Sequence, residues 1–332
     1  MGETNHQILV TGGAGYIGSH VVKELIRRGY RAVVYDNLQT GHRKAVKNAP
    51  LIQGDLADKE RLTRAFQSYS IQAVMHFAAD CLVNESMKEP LKFINNNVRN
   101  GLHLLEAMNQ WRVKKFVFSS SCAVYGEPVK IPIPEDHPCL PTNVYGETKW
   151  VFEKFLQAYH DAKKLDFISL RYFNAAGADP DGELGEDHQK ETHLIPLAFK
   201  ALLGKNRLSI YGTDYDTPDG TCIRDYIHVM DLAQAHFLAL ERLLQGGESA
   251  TYNLGNGNGY SVREVIAMAE KVSAKKMPLI EAPRRAGDPA QLVASSEKIK
   301  KELGWTPKYP KLESIIQSAW NWHRTHPNGY AD

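Results

Sequence analysis

No apolar run in this 332-residue chain approaches the roughly 20 residues that a membrane-spanning helix needs, so no helical span is expected. Excess charge is missing too. A formal net charge of +2 gives no electrostatic case for a nucleic acid or a membrane surface as partner. Cysteine is sparse, and Cys81, Cys122, Cys139 and Cys222 have neither paired nor metal-ligand spacing, which fits reduced thiols. The opening residues Met1-Gly2-Glu3-Thr4-Asn5-His6 lack the basic and apolar regions of a signal peptide, and His6 stands where myristoylation wants serine or threonine. A cytoplasmic protein is the expectation. There the sequon Asn84-Glu85-Ser86 would carry no sugar. His228, Asp231 and His236 match no standard zinc spacing and are explained by a helical pattern starting near Asp231, so no metal is assigned.

What is present is alternation. The first half interleaves short β-branched apolar runs with helical stretches, which predicts an α/β fold: a Rossmann-type doubly wound parallel sheet covered on both faces. Strands are expected at 8–11, 31–35, 51–54, 73–77, 115–119 and 167–171, and helices over 17–28, 91–111 and 144–163. After Asn174 comes a loop-rich passage holding Gly177, Pro180, Gly182 and Gly185, then a helix over 195–203. A helix over 231–244 and a strand over 251–254 are expected to rejoin the first sheet. The chain divides on this reading into a dinucleotide-binding domain, residues 1–175 with 226–255, and a smaller α/β substrate domain, residues 176–225 with 256–332.

The first strand runs into Gly12-Gly13-Ala14-Gly15-Tyr16-Ile17-Gly18. Glycines at this spacing permit a tight turn and let backbone approach a pyrophosphate, while the following helix start attracts its charge. A glycine cluster alone is a weak signal; a strand before it and a helix after it supply the required context. Asp36 closes the second strand, where an acid holds the adenosine ribose and repels a 2′-phosphate, and no arginine stands beside it. NAD is therefore expected rather than NADP. Phe77-Ala78-Ala79 ends the fourth strand with small residues suited to a flat cofactor, and Asp55 is placed to bond an adenine amino group. Both lie at carboxyl ends of strands, the ligand crevice of such sheets.

Tyr145 and Lys149 fall four apart in a helical stretch, hence on one face. The cation of Lys149 is expected to favour ionisation of a phenol whose ordinary pKa is about 10, giving a base for a hydroxyl proton. Ser119-Ser120-Ser121 lies at the end of the fifth strand, where a hydroxyl would bond a substrate oxygen and pass that proton on.

With these residues in this order, the chain resembles the extended short-chain dehydrogenase/reductase family. Val124-Tyr125-Gly126, Arg171-Tyr172-Phe173-Asn174, Ile223-Arg224-Asp225-Tyr226-Ile227-His228-Val229 and Arg284-Arg285-Ala286-Gly287-Asp288 resemble its UDP-sugar 4-epimerase branch, from about residue 7 to residue 325. The resemblance implies Tyr145 as base, Lys149 as the group that binds the nicotinamide ribose and tunes that base, and Ser121 as hydroxyl partner. It implies NAD contacts at Gly12, Gly15, Tyr16, Ile17 and Gly18, at Asp36, Asn37, Asp55 and Leu56, and at Phe77, Ala78, Ala79, Asn96, Tyr145, Lys149 and Tyr172. For a UDP-sugar it implies Asn174 on the phosphates, Arg224 and Arg285 clamping the diphosphate and Asp288 on the uridine ribose, with Ser121, Tyr145, His193, Leu194, Tyr211 and Leu292 also in contact. The implied reaction interconverts UDP-glucose and UDP-galactose through a transient 4-keto sugar and bound NADH. A homodimer formed by the two long helices is implied as well.

Three positions depart from that pattern. Cys81 stands where some bacterial relatives place a lysine near the NAD phosphates, and His193 where asparagine is common. Leu292 replaces a tyrosine of the pocket wall in relatives restricted to UDP-glucose and UDP-galactose, which leaves room for a 2-acetamido group and predicts acceptance of N-acetylated UDP-hexosamines. A 4-epimerase of a UDP-pentose or UDP-uronate would use the same residues. A sugar-nucleotide 4,6-dehydratase needs an acid pair where Cys122-Ala123 stands, and a UDP-glucuronate decarboxylase likewise needs an acid there. A non-catalytic NAD-sensing regulator would have no use for Tyr145, Lys149 and Ser121 together.

Overall fold

The computed structural model describes residues 7–285 and 288–330. In chain order its first six strands are β1 (Gln7–Thr11), β2 (Arg31–Asp36), β3 (Leu51–Gln53), β4 (Ile71–His76), β5 (Lys115–Ser121) and β6 (Asp166–Tyr172). There follow β7 (Asn174–Ala176), β8 (Leu208–Tyr211), β9 (Ile223–His228), β10 (Ala250–Leu254), β11 (Gly259–Ser261), β12 (Leu279–Ala282) and β13 (Gln291–Leu292). Seven strands form one parallel sheet in the order β10, β6, β5, β4, β1, β2, β3. Strand order reverses between β1 and β4. That reversal opens a crevice at the carboxyl ends of the strands, where doubly wound sheets take their ligands.

The apolar runs form strands because both faces of the sheet are covered. Ile8 and Val10 join one core with the helices Tyr16–Arg27 and Val229–Leu244, while Leu9 between them joins a second core with Phe116, Phe118 and Phe152. Successive strand residues point to opposite faces, so each run feeds both layers. Burying each such side chain contributes about 1.5–3 kcal/mol.

The expected helices over 17–28 and 144–163 are observed at Tyr16–Arg27 and Val144–Asp161. The second is capped by the Asn143 side chain, which accepts from the Gly146 N–H at 2.8 Å. The helix expected over 91–111 opens with Pro90–Phe93, passes through a π-helical turn at Ile94–Arg99 and resumes over Asn100–Gln110. Such turns recur at functional sites. Here it carries Asn97, whose amide exchanges two hydrogen bonds with the Asp80 backbone, at 2.8 and 2.9 Å.

A second region holds β9 at the centre of a small mixed sheet with β7, β11 and β13, beside the pair β8 and β12. The helices Leu194–Leu202, Val262–Ser273 and Leu312–Thr325 build its core. From β9 the chain enters Val229–Leu244 and then β10, which rejoins the large sheet beside β6. The expected division at 225/226 falls inside β9. Among the described residues no helix is long and apolar enough to cross a membrane.

One buried ion pair braces the sheet against the helix Val144–Asp161. Arg171 on β6 meets Glu153 through Nη2 to Oε2 at 2.5 Å and Nε to Oε1 at 3.0 Å, and Ser120 donates to the same carboxylate at 2.5 Å. Breaking such a pair leaves a buried charge uncompensated. Glu153→Ala is expected to lose about 3–5 kcal/mol in urea unfolding; an unchanged midpoint would contradict the assignment.

Candidate active site

The carboxyl ends of the parallel strands open into a cavity of about 550 Å³ that continues into the second region. Every residue nominated from the sequence for cofactor, substrate or catalysis lies on its wall. The glycine loop, Asp36, Asn37, Asp55 and Leu56 form one end, Tyr145, Lys149, Ser121 and Tyr172 the middle, and Tyr211, Arg224, Arg285, Asp288 and Leu292 the other.

Gly12 leaves β1 with φ +74°, and a Cβ there would sit 2.5 Å from the Ala78 backbone nitrogen. The turn is therefore closed to any side chain. Gly15 is different: it is extended, with φ −78° and ψ 174°, and a Cβ would meet only the Gly12 carbonyl at 3.4 Å. The protein's own atoms leave room for a methyl group at Gly15, so its bare backbone is open to close approach by a ligand. Gly15 caps the helix Tyr16–Arg27, whose first turn carries no acidic side chain and no side-chain cap. Open N–H groups at such a start suit a pyrophosphate.

The Asp36 carboxylate accepts from Ala14 N at 2.9 Å and Leu38 N at 2.8 Å. Burial raises its pKa while these two backbone donors oppose that shift. One bond per oxygen leaves lone pairs free for ribose hydroxyls. Asn37 donates to Asp55 Oδ2 at 2.8 Å and Ala57 N to Asp55 Oδ1 at 2.8 Å, so Asp55 is oriented from both sides. This end of the cavity fits the adenosine half of NAD.

Ser121 ends β5, and Tyr145 and Lys149 stand on the first turns of the helix Val144–Asp161; all three are buried. The backbone of Tyr145 is fixed by Ser86, whose hydroxyl accepts from its N–H at 3.1 Å, and by Thr148, whose hydroxyl donates to its carbonyl at 2.7 Å. Asn97 in turn donates to Thr148 at 3.1 Å. Lys149 Nζ donates to the Ser119 carbonyl at 2.8 Å and lies 4.9 Å from the Phe118 ring centroid and 5.8 Å from that of Tyr145.

Burial works against the ionisation that Lys149 is expected to favour. Burial pushes the phenol well above its ordinary value, the neighbouring Tyr172 adds to this, and a hydrogen bond with Ser121 opposes it. Burial likewise draws Lys149 down to about 8, with the neighbouring Cys81 and Glu153 opposing the shift. Burial in the open cavity therefore works against ionisation of Tyr145, and Ser121 works for it.

On the far side, Arg224 on β9 reaches Asp288 Oδ1 at 3.3 Å, and the Arg285 guanidinium lies 4.0 Å over the Tyr211 ring. Asn174 opens β7 and donates to the Asp225 carbonyl at 3.0 Å. Leu292 on β13 is in register with Arg224. His193 caps the helix Leu194–Leu202, and its Nδ1 is 2.6 Å from Glu186 Oε1. Burial alone would lower that imidazole, yet Glu186 and then Glu191 outweigh it and raise its pKa. Cys81 is exposed on the cofactor side of the same wall.

Several motif residues that carry the sequence resemblance turn out to hold the scaffold. Arg171 pairs with Glu153; Tyr125 accepts from Arg171 at 2.9 Å and donates to Asn253 at 2.7 Å; Asp225 accepts backbone N–H groups of Asn256, Gly257 and Ala294. Ser86, Asn97 and Thr148 were not foreseen. Only Thr148, one helical turn beyond Tyr145, lies where the sequence could have drawn attention to it.

Comparison with known proteins places this arrangement. The model of the NAD dependent epimerase/dehydratase family matches residues 8–255, and the chain belongs to that family, within the extended short-chain dehydrogenases/reductases. It is similar to the UDP-glucose 4-epimerase of Halalkalibacterium halodurans, 54% identical over 325 residues that cover 98% of this chain and 97% of that protein. A crystal structure of a UDP-glucose 4-epimerase superimposes with a TM-score of 0.96 at 54% identity, covering 98% of this chain and 100% of that one. The UDP-glucose 4-epimerase from Bifidobacterium longum, solved in complex with NAD+ and UDP, gives 0.93 at 38% identity, covering 98% and 100%.

Lys149 supplies a pH test. A cation whose pKa is lowered on folding costs stability while it is charged in both states, and the cost fades as pH rises from the folded value of about 8 toward the unfolded value. Lys149→Met is expected to be more stable than the parent below pH 8 by denaturant midpoint, with the gap closing above it. A gap independent of pH would contradict the burial of a charged Lys149.

Proposed function

We infer that this chain, with NAD bound, interconverts UDP-glucose and UDP-galactose by inverting C4 of the sugar. The observation that carries the reading is one cavity holding the glycine loop, the Tyr145, Lys149 and Ser121 set, and the Arg224, Arg285 and Asp288 set. When bound, NAD supplies a nicotinamide that accepts hydride from C4 and returns it to the opposite face of the resulting 4-keto sugar.

The chain's own residues do the rest. Tyr145 takes the 4-hydroxyl proton and gives it back after the sugar has turned, with Ser121 bonding the same oxygen. Lys149, fixed by the Ser119 carbonyl, binds the nicotinamide ribose and adds positive charge near the phenol. Arg224 and Arg285 hold the diphosphate while Asp288 holds the uridine ribose, so the hexose is tethered through UDP and free to rotate at its own end. Burial of Tyr145, Lys149 and Ser121 limits water at the reacting centre. On this reading residues 1–175 with 226–255 carry NAD, and residues 176–225 with 256–332 carry the UDP-sugar.

Met87, Leu91 and Ile94 are exposed on and just before the long helix beginning at Pro90, with Trp111 at its end and Phe155 on the helix Val144–Asp161. An apolar set of this kind supports a homodimer. Light scattering should give twice the 37.3 kDa chain mass, and a monomer mass would count against it. All four cysteines are free, which supports a reducing, cytoplasmic location.

Tyr145→Phe removes the proton acceptor without changing the ring. It is expected to lose about 10²–10⁴-fold in UDP-galactose turnover followed by NMR, with UDP-sugar binding retained; near-normal turnover would refute the assignment. Leu292→Tyr narrows the wall beside Arg224 and should lose UDP-N-acetylglucosamine turnover while keeping that of UDP-galactose. Equal loss of both would remove the case for N-acetylated substrates.

A further inference from the structure

The stretch Glu186-Asp187-His188-Gln189-Lys190-Glu191-Thr192-His193 repeats one spacing, Glu-x-His, and has no regular secondary structure until His193 caps the next helix. In extended backbone residues two apart face the same side. The segment folds so that one donor atom from each of Glu186, His188, Glu191 and His193 lies within 4.8 Å of the other three. His188 Nδ1 is 3.6 Å from Glu186 Oε1 and 3.2 Å from Glu191 Oε2. His193 Nδ1 is 2.6 Å from Glu186 Oε1 and 3.4 Å from Glu191 Oε1.

These separations carry geometric information. Zinc–nitrogen and zinc–oxygen bonds of about 2.0–2.2 Å place neighbouring donors of a tetrahedron about 3.3–3.6 Å apart. With Glu191 facing His188 through Oε2, two of the three separations among these donors, 3.6 and 3.2 Å, stand at or near that spacing, and the third, 2.6 Å, has to open by about 1 Å. Glu186 and Glu191 are almost wholly enclosed, at 4% and 3% side-chain exposure, and carboxylates this deep need positive charge in contact. Glu191 is also pre-oriented: its Oε1 accepts the N–H groups of Thr192 and His193 at 2.8 Å each, leaving Oε2 toward His188.

We propose that Glu186, His188, Glu191 and His193 form a site for one divalent transition-metal ion, with zinc the best match to two imidazoles and two carboxylates. Four protein donors make it a structural site that cross-links residues 186–193. Glu186, His188 and His193 line the main cavity, and the His188 ring centroid is 6.5 Å from that of Tyr16 on the glycine loop. The ion therefore fixes the cavity wall between the cofactor end and the substrate end. The histidines first considered from the sequence have other partners: His228 Nε2 is 3.0 Å from Ser318 Oγ, and His236 Nδ1 is 2.8 Å from the Leu232 carbonyl.

The rival account is a pair of imidazolium–carboxylate contacts with no ion, and metal content separates the two. The full-length, NAD-loaded protein is stripped with a chelator, titrated with cobalt(II) and desalted. One cobalt per chain should remain, with visible bands of cobalt in nitrogen and oxygen ligands. His188→Gln and Glu191→Gln should each weaken retention about tenfold or more while NAD content and circular dichroism are kept. Wild type alone also decides: zinc added to the stripped protein should raise its Tm. No retained cobalt, an unchanged Tm with zinc, or equal retention in His188→Gln/His193→Gln would overturn the site.

Discussion

The hydrogen bond from Lys149 Nζ to the Ser119 carbonyl, 2.8 Å long and buried, ties the helix Val144–Asp161 to the end of β5. Tyr145 and Ser121 are brought together by that tie. It also spends one donor of the ammonium on the scaffold, while burial draws Lys149 down to about 8. Burial raises the pKa of Tyr145. A raised phenol pKa suits a residue that must return a proton as well as take one in a single turnover.

The scaffold around the pair is polar and fully engaged. Glu153, one turn beyond Lys149, takes Arg171 and Ser120; Arg171 reaches Tyr125, and Tyr125 reaches Asn253 on β10. This chain of contacts spans β5, β6 and β10 beneath the cavity. Buried networks of this type rigidify a core because each unmet partner is costly. Tyr125, Arg171 and Asp225 thus belong to the characteristic motifs through the frame they hold.

The large sheet was legible because a parallel strand covered on both faces must be apolar throughout, as Ile8-Leu9-Val10 and Val33-Val34 are. The small sheet was not: β13 has two residues and β11 three, and β9 reads Ile-Arg-Asp-Tyr-Ile-His, a mixture set by the cavity it borders. Site positions could be read from the sequence since strand ends and Tyr-x-x-x-Lys fix them locally. The burial of Tyr145 could not, because the groups around it come from distant segments. Ser86 reaches its backbone across 59 residues, and Asn97 reaches Thr148 across 51.

The central claim is that this chain holds NAD and passes hydride out of and back into a UDP-sugar at C4, with no net redox change. The most direct measurement mixes purified protein with UDP-galactose, adds no cofactor, and follows the sugar anomeric signals by NMR. Conversion to an equilibrium mixture with UDP-glucose, with bound NAD present in the protein, is the predicted result. Unchanged UDP-galactose in the presence of protein that carries NAD would contradict the account.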